Sequence, residues 1–409
     1  MPHHTVTRHA PGKLFVAGEY AVVEPGTPAV LAAVDRQVSV TVTAAPGDGD
    51  AAPAVPGATA DVSPAARAAP AVPSASCAAE VVVASDLLSR EVRLRWRRGR
   101  LAGIGSDDER RVREHLAHVV SAVEVVDRLR IGRGLPAPGV PLHVSIRSRL
   151  HDNGTKFGLG SSGAVSVATV DAMAAYHGTE LSSEERFRLA LLAGARVDAG
   201  PSGGDLAASS WGGWILYRAP DRAAVRDMAR QRGVEEALRV SWPGFEARPL
   251  PPPRGLALLV GWTGRPASTA TLVADLGARR DWRGGPAHRD FLARSTACVE
   301  AAARALEHSD RDGLLRQIGA ARQILARLDE ETGLGVFTPA LHTLCDTAEA
   351  AGGAAKPSGA GGGDCGIALL PDGEPAALDR LRARWQTAGI TPLPLTIADR
   401  RPKDVRSDR

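Results

Sequence analysis

Lys156-Phe157-Gly158-Leu159-Gly160-Ser161-Ser162-Gly163 runs directly into an apolar, Ala-rich stretch that ends at Tyr176 and is bounded by Gly178. The two halves of this segment predict a glycine turn opening a buried helix. Glycines let backbone N–H groups come close to an anion, and the start of a helix adds its partial positive charge. Two serine hydroxyls at that point can complete a phosphate or Mg²⁺ shell. It is not a Walker loop, because GxxxxGK[ST] occurs nowhere in the chain. In a sequence with 44 glycines, a plain tight turn is the competing reading.

Three other blocks share the same chemistry. Ala10-Pro-Gly-Lys-Leu-Phe-Val-Ala-Gly-Glu-Tyr20 places Lys13 on an early strand. Pro201-Ser-Gly-Gly-Asp205 presents a lone carboxylate on a turn, and Lys356-Pro-Ser-Gly-Ala-Gly-Gly-Gly-Asp364 packs glycines between a helix and a strand. Each has an ordinary alternative, since turn Asp residues often bond their own backbone and glycine runs are often low-complexity loops. Lysine usage adds weight. Of 50 basic residues only Lys13, Lys156, Lys356 and Lys403 are lysines, and the first three border these motifs. Lysine survives arginine-biased composition best where a compact ammonium cannot be replaced by a flat fork. An anion-handling role is the expectation for those three, and none for Lys403 in the basic tail.

At 409 residues the chain is long enough for two globular domains. No apolar run reaches membrane-spanning length, and the polar start MPHHTVTRHAPGK predicts no signal peptide. The formal charge is only +4, with no Lys/Arg stripe interleaved with aromatics, which argues against nucleic acid. Cys77, Cys298, Cys345 and Cys365 form no CxxC pair, so buried free thiols in a reducing cytoplasm are expected.

Alternation predicts strands over 4–45 around a Pro/Gly turn, in EVRLRWRRGRL, PLHVSIRSRL, WILYR and LALLVGW, and around GIALL and LPLTI. Helices are expected at His115–Ile131, at Ser161–Tyr176, after the capping box Ser182–Glu185, and near 287–307, 312–329 and 339–351. Residues 46–80 read as a low-complexity surface insertion without catalytic content. The Arg-rich stretch 221–239 and PLPPPRG mark a boundary between domains over 1–220 and 250–400. Strands and helices interleave without βαβ rhythm, so the expected class is α+β.

In this order, the PGK strand, the GLGSS loop and the C-terminal glycine loop resemble the signature motifs of the GHMP kinase superfamily. GEYAVVEPGTPAVLAAVDR, KFGLGSSGAV, PSGGDLAASSWGGWILY, GWTGRPAST and AAKPSGAGGGDCGIAL narrow the resemblance to its bacterial phosphomevalonate kinases. Mevalonate kinases more typically carry His where Tyr20 stands. The resemblance implies an N-terminal domain like ribosomal protein S5 domain 2, a ferredoxin-like C-terminal domain, and an active site in the cleft between them. It also implies a cytoplasmic enzyme, monomer or homodimer, without nucleic-acid or membrane partners. With ATP and Mg²⁺ it would convert (R)-5-phosphomevalonate to (R)-5-diphosphomevalonate. A mevalonate kinase, another small-molecule GHMP kinase, or a non-catalytic ligand sensor are the alternatives.

Carried onto this chain, the resemblance makes Lys13 and Asp205 catalytic. Lys13 would bridge acceptor and γ-phosphate, and Asp205 would orient both. Lys156, Gly158, Leu159, Gly160, Ser161, Ser162 and Gly163 would cradle ATP, with Ser162 on Mg²⁺. Tyr20, Ser202, Ser268, Thr269, Lys356, Ser358, Gly359 and Ala360 would contact the acceptor. One departure stands out. Mevalonate kinases place a Mg²⁺-holding Glu in the helix before PSGxD, where this chain has Gly194, with Asp198 the nearest carboxylate.

Overall fold

The computed structural model describes residues 4–45, 80–135, 141–152, 155–198, 200–267, 269–279 and 282–400. The expected insertion over 46–80 lies outside the described residues up to position 79. Eight strands form the first sheet: β1 Thr5–Ala17, β2 Pro28–Ala44, β3 Glu80–Ser85, β4 Val92–Arg97, β5 Arg100–Gly103, β6 Leu142–Ser148, β9 Trp214–Arg218 and β10 Glu246–Leu250. A short hairpin of β7 His151–Asp152 and β8 Thr155–Lys156 leads into the glycine turn. The second sheet runs β12 Ala354–Ser358, β13 Cys365–Pro371, β11 Leu256–Trp262, β14 Thr391–Leu393, with every pair antiparallel.

β2 organises the first sheet. One edge pairs with β1 along almost its whole length, while the other serves β9 over Pro28–Ala32 and then β6 over Val38–Ala44. The β1–β2 register shifts between Pro11 and Gly12, just before Lys13. Helices Ala117–Gly132, Ser161–Tyr176, Ser183–Val197 and Gly204–Trp211 pack with one another, and the second and fourth of them also lie on β1 and β2. Val167, Val170 and Met173 are buried there, each contributing about 2 kcal/mol of apolar transfer. Helices Arg311–Thr332, Pro339–Glu349 and Pro375–Thr387 pack on the second sheet, whereas Pro286–Glu307 packs on Arg311–Thr332 and on β2 of the first sheet. The α+β layering expected from the sequence is borne out.

Some elements differ from expectation. The helix expected from His115 is preceded by helical turns from Ser106, where Asp107, Asp108 and Glu109 suit a helix start. The Arg-rich stretch folds into helices Arg222–Arg232 and Val234–Arg239, and β10 then returns to pair with β9. Pro251–Arg254 therefore carries the chain from the first sheet to the second. At the C-terminal end only Thr391–Leu393 pairs in the second sheet, while Ile397 bridges to Val34 of β2.

Lys356 is the largest surprise. It lies on β12, an edge strand that accommodates Pro357, and its side chain is 0% exposed. Its ammonium donates to the Glu19 carboxylate and to the Pro357 carbonyl at 2.6 Å. Removing one partner of such a buried pair leaves an uncompensated charge, which costs about 3–5 kcal/mol. Lys356→Met is therefore expected to lower unfolding free energy by about that amount in urea titration. Adding Glu19→Gln should recover part of the loss.

Candidate active site

Lys13 sits where the halves of the chain meet. Its backbone N–H donates to the Leu159 carbonyl at 2.8 Å, and its Nζ donates to the Gly158 carbonyl at 3.0 Å. The residue is only 7% exposed, with Nζ 5.4 Å from the Phe15 ring centroid. A Cβ built on Gly359 would lie 3.5 Å from Nζ, so the C-terminal glycine loop borders the same ammonium. An ammonium has three donors, and among the described residues one of them is used.

The glycine turn opens the helix Ser161–Tyr176 with Gly160 in the left-handed region and no side-chain cap. The first N–H groups of a helix lack intrahelical acceptors, so this end is left open to an anion. Among the described residues neither the Ser161 nor the Ser162 hydroxyl has a hydrogen-bond partner, and Ser162 is exposed. Lys156 is exposed at the end of β8, at the mouth of this turn, whereas Leu159 is fully buried beneath it.

Asp205 faces that helix start. It is the second residue of the helix Gly204–Trp211, and its Oδ1 accepts from the Leu206 N–H at 3.0 Å. A Cβ on Gly163 would lie 2.4 Å from its Oδ2, a distance no real side chain could keep. Gly163 is therefore the residue that lets the carboxylate approach. An aromatic cluster holds the carboxylate's helix from behind: Phe187 stacks on Phe245 at 4.9 Å and packs against Trp211 and Tyr217. The Tyr217 hydroxyl donates to the Ser202 carbonyl at 2.6 Å, and burial pushes its pKa well up. Ser202 turns its own hydroxyl to the Gly204 N–H at 3.3 Å, a turn-closing contact.

The C-terminal loop is tied to the end of β1. Ser358 Oγ accepts from the Phe15 N–H at 2.9 Å and donates to the Phe15 carbonyl at 3.1 Å. The buried Tyr20 hydroxyl donates to the Ala360 carbonyl, and desolvation pushes its pKa up. Tyr20 and Ser358 thus join the halves at the cleft, and Lys356 supports them from behind without facing it. Ser268 lies outside the described residues, as does the side chain of Thr269, which begins the helix Thr269–Ala278.

Three residues escaped sequence reasoning. Asp364 carries a non-glycine φ of 47° and is 7% exposed. His118 has its Nδ1 buried without a partner among the described residues. Burial lowers its pKa, while the fields of Asp205 and Asp198 act to raise it. Arg222 is half-buried, its Nη2 donating to the Val23 carbonyl at 2.8 Å. Nothing in local spacing marks any of them, although Asp364 closes the glycine loop and could have been singled out there.

For Mg²⁺, no three His, Cys, Asp or Glu side chains converge among the described residues. Asp198 is exposed and its Oδ1 accepts from the Gly200 N–H at 2.8 Å. The open Ser162 hydroxyl suits a hard cation that keeps most of its shell from water and substrate phosphates. Gly163→Ala is expected to displace Asp205 and lower kcat by about 10²-fold, the scale of losing one preorganised group. Steady-state kinetics on the folded variant checks this.

The GHMP kinases N terminal domain matches residues 117–213, and the GHMP kinases C terminal domain matches residues 302–388. A phosphomevalonate kinase of Streptomyces sp. (strain CL190) is 56% identical over 394 residues, covering 96% of this chain and 97% of that protein. A mevalonate kinase of Thermococcus onnurineus is 30% identical, covering 70% of this chain and 74% of that protein. Among solved structures, Streptococcus pneumoniae phosphomevalonate kinase in complex with phosphomevalonate and AMPPNP superposes with a TM-score of 0.74 at 25% identity. That match covers 96% of this chain and 99% of that one. The chain belongs to the GHMP kinase family, and within it groups with the phosphomevalonate kinases.

Proposed function

We infer that this chain transfers the γ-phosphoryl group of ATP to (R)-5-phosphomevalonate, giving (R)-5-diphosphomevalonate and ADP. The observation that carries the reading is the convergence of Lys13, the open helix start after Gly160, Asp205 and the Gly359 loop. It occurs in a chain 56% identical, over nearly its full length, to a phosphomevalonate kinase.

Phosphoryl transfer needs positioning and charge stabilisation more than covalent chemistry. An oxygen of the acceptor's phosphate attacks the γ-phosphorus, the bond to the bridging oxygen breaks, and ADP departs. The acceptor phosphate loses its second proton near pH ~6, so near neutral pH it reaches the site mostly as a dianion, already a nucleophile. Asp205 therefore orients the acceptor and Lys13, with proton removal secondary. Lys13 spans the attacking and transferring groups, its one bond among the described residues, to Gly158, leaving donors for phosphate oxygens. The open amides of the helix start, with Ser161 and Lys156, hold the ATP phosphates. Ser162 would hold Mg²⁺, which would supply neutralisation of phosphate charge when bound. Ser358, Ala360 and Tyr20 shape the acceptor side.

ADP release measured with phosphomevalonate and with mevalonate side by side tests the reading. Turnover is expected with the phosphorylated acceptor, and turnover with mevalonate alone would assign the chain to hydroxyl kinases. With phosphomevalonate, Lys13→Met is expected to lower kcat by about 10²-fold or more, with ATP binding little changed. Near-normal kcat in that variant would remove Lys13 from the transfer step.

A further inference from the structure

We propose that Asp364 is a positioning residue, a clasp that seats the Gly158 turn and, through it, the Lys13 ammonium against the C-terminal half. Three hydrogen bonds fix Asp364 on the segment after β11. Its N–H donates to the Arg265 carbonyl at 2.7 Å, its carbonyl accepts from the Thr263 N–H at 2.9 Å, and its Oδ1 accepts from the Ala267 N–H at 2.9 Å. The side chain is thereby aimed at the phosphate loop. A Cβ built on Gly158 would lie 2.4 Å from the Asp364 Cγ and 2.5 Å from Oδ2. The carboxylate fills the space that the glycine leaves.

Gly158 is also the residue whose carbonyl receives the Lys13 ammonium. A continuous path of direct contacts therefore runs from Thr263–Ala267 through Asp364 and Gly158 to Nζ. The next residue reinforces it, since Cys365 Sγ donates to the Phe157 carbonyl at 3.1 Å, and Phe157 packs edge-on against Trp262 at 5.4 Å. Asp364 holds a φ of 47°, which is uncommon for any residue but glycine and is tolerated best by Asn and Asp. Glycine would relieve that backbone, as the neighbouring Gly361 and Gly362 do at φ 70° and 72°. A carboxylate kept in a conformation that favours glycine, buried and in contact with the phosphate loop, fits a site requirement better than a folding one. Its pKa is raised by burial, while the Ala267 N–H and the Lys13 charge pull the other way.

The proposal rests on Lys13 acting in phosphoryl transfer, and wild-type turnover with phosphomevalonate is the control for that reading. Asp364→Gly removes the clasp and relieves the backbone, whereas Asp364→Asn keeps an oxygen acceptor for the Ala267 N–H. Expected for Asp364→Gly is a kcat at least tenfold below wild type, with an unchanged or raised Tm and AMPPNP affinity by calorimetry within threefold. Asp364→Asn should retain kcat within about threefold, the rescue that a hydrogen-bonded spacer predicts. Because Gly158→Ala strikes the carboxylate, its cost in kcat should be smaller in the Asp364→Gly background than in wild type. Asp364→Gly with wild-type kcat would overturn the proposal. So would an Asn variant as impaired as Gly, or strictly additive effects of the two changes at 158 and 364. Should Asp364→Gly fail to fold, the backbone argument falls with it.

Discussion

The constraint on which the molecule depends is the burial of one ammonium at the seam between two halves. Lys13 lies on β1, held by backbone carbonyls of the glycine turn and bordered by the C-terminal glycine loop. No carboxylate bonds its Nζ among the described residues. Asp364 lies close enough for the two charges to interact, but an ammonium bonded only to a carbonyl is incompletely compensated for its desolvation. Multiply charged phosphates would supply directly bonded anionic partners. A cation with donors left for substrate is poised to stabilise negative charge where it shifts between phosphates.

Holding that seam together takes a set of bonds that all start from one short span of β1 and the turn after it. Phe15 is gripped at both N–H and carbonyl by Ser358, Glu19 is paired with Lys356, and Tyr20 bonds the Ala360 carbonyl. From the other side Cys365 and Asp364 dock the phosphate turn. Residues 13–20 thus act as a rail that both the phosphate loop and the C-terminal loop follow. The same few residues give interdomain stability and site geometry, so a change in either is felt in the other.

Local pattern made most of this visible. The turn-to-helix step at Gly160–Ser161, the capping box at Ser182–Glu185 and the alternation of β1 and β2 are determined by nearby residues, and they appear where the sequence places them. Lys356 misled because its flanking glycines resemble a ligand loop, while its partner Glu19 is 337 positions away. Asp364 and His118 were missed for the same reason, as their meaning comes from Gly158 and from Asp205, brought close by tertiary packing. The first sheet continues to β10 because β9 offers it a free edge, a long-range pairing that an Arg-rich, Pro-bounded segment does not advertise.

In this mechanism the acceptor brings its own ionised nucleophile, so that Asp205 positions more than it deprotonates. The most direct measurement is kcat/KM for phosphomevalonate against pH in wild type and in Asp205→Asn. Asparagine keeps the shape and much of the hydrogen bonding and loses the basicity. Activity of the variant is expected to be reduced yet still to rise with pH as the substrate phosphate ionises near pH ~6. Complete inactivity at every pH, in folded protein that still binds ATP, would contradict it and make Asp205 an obligatory base.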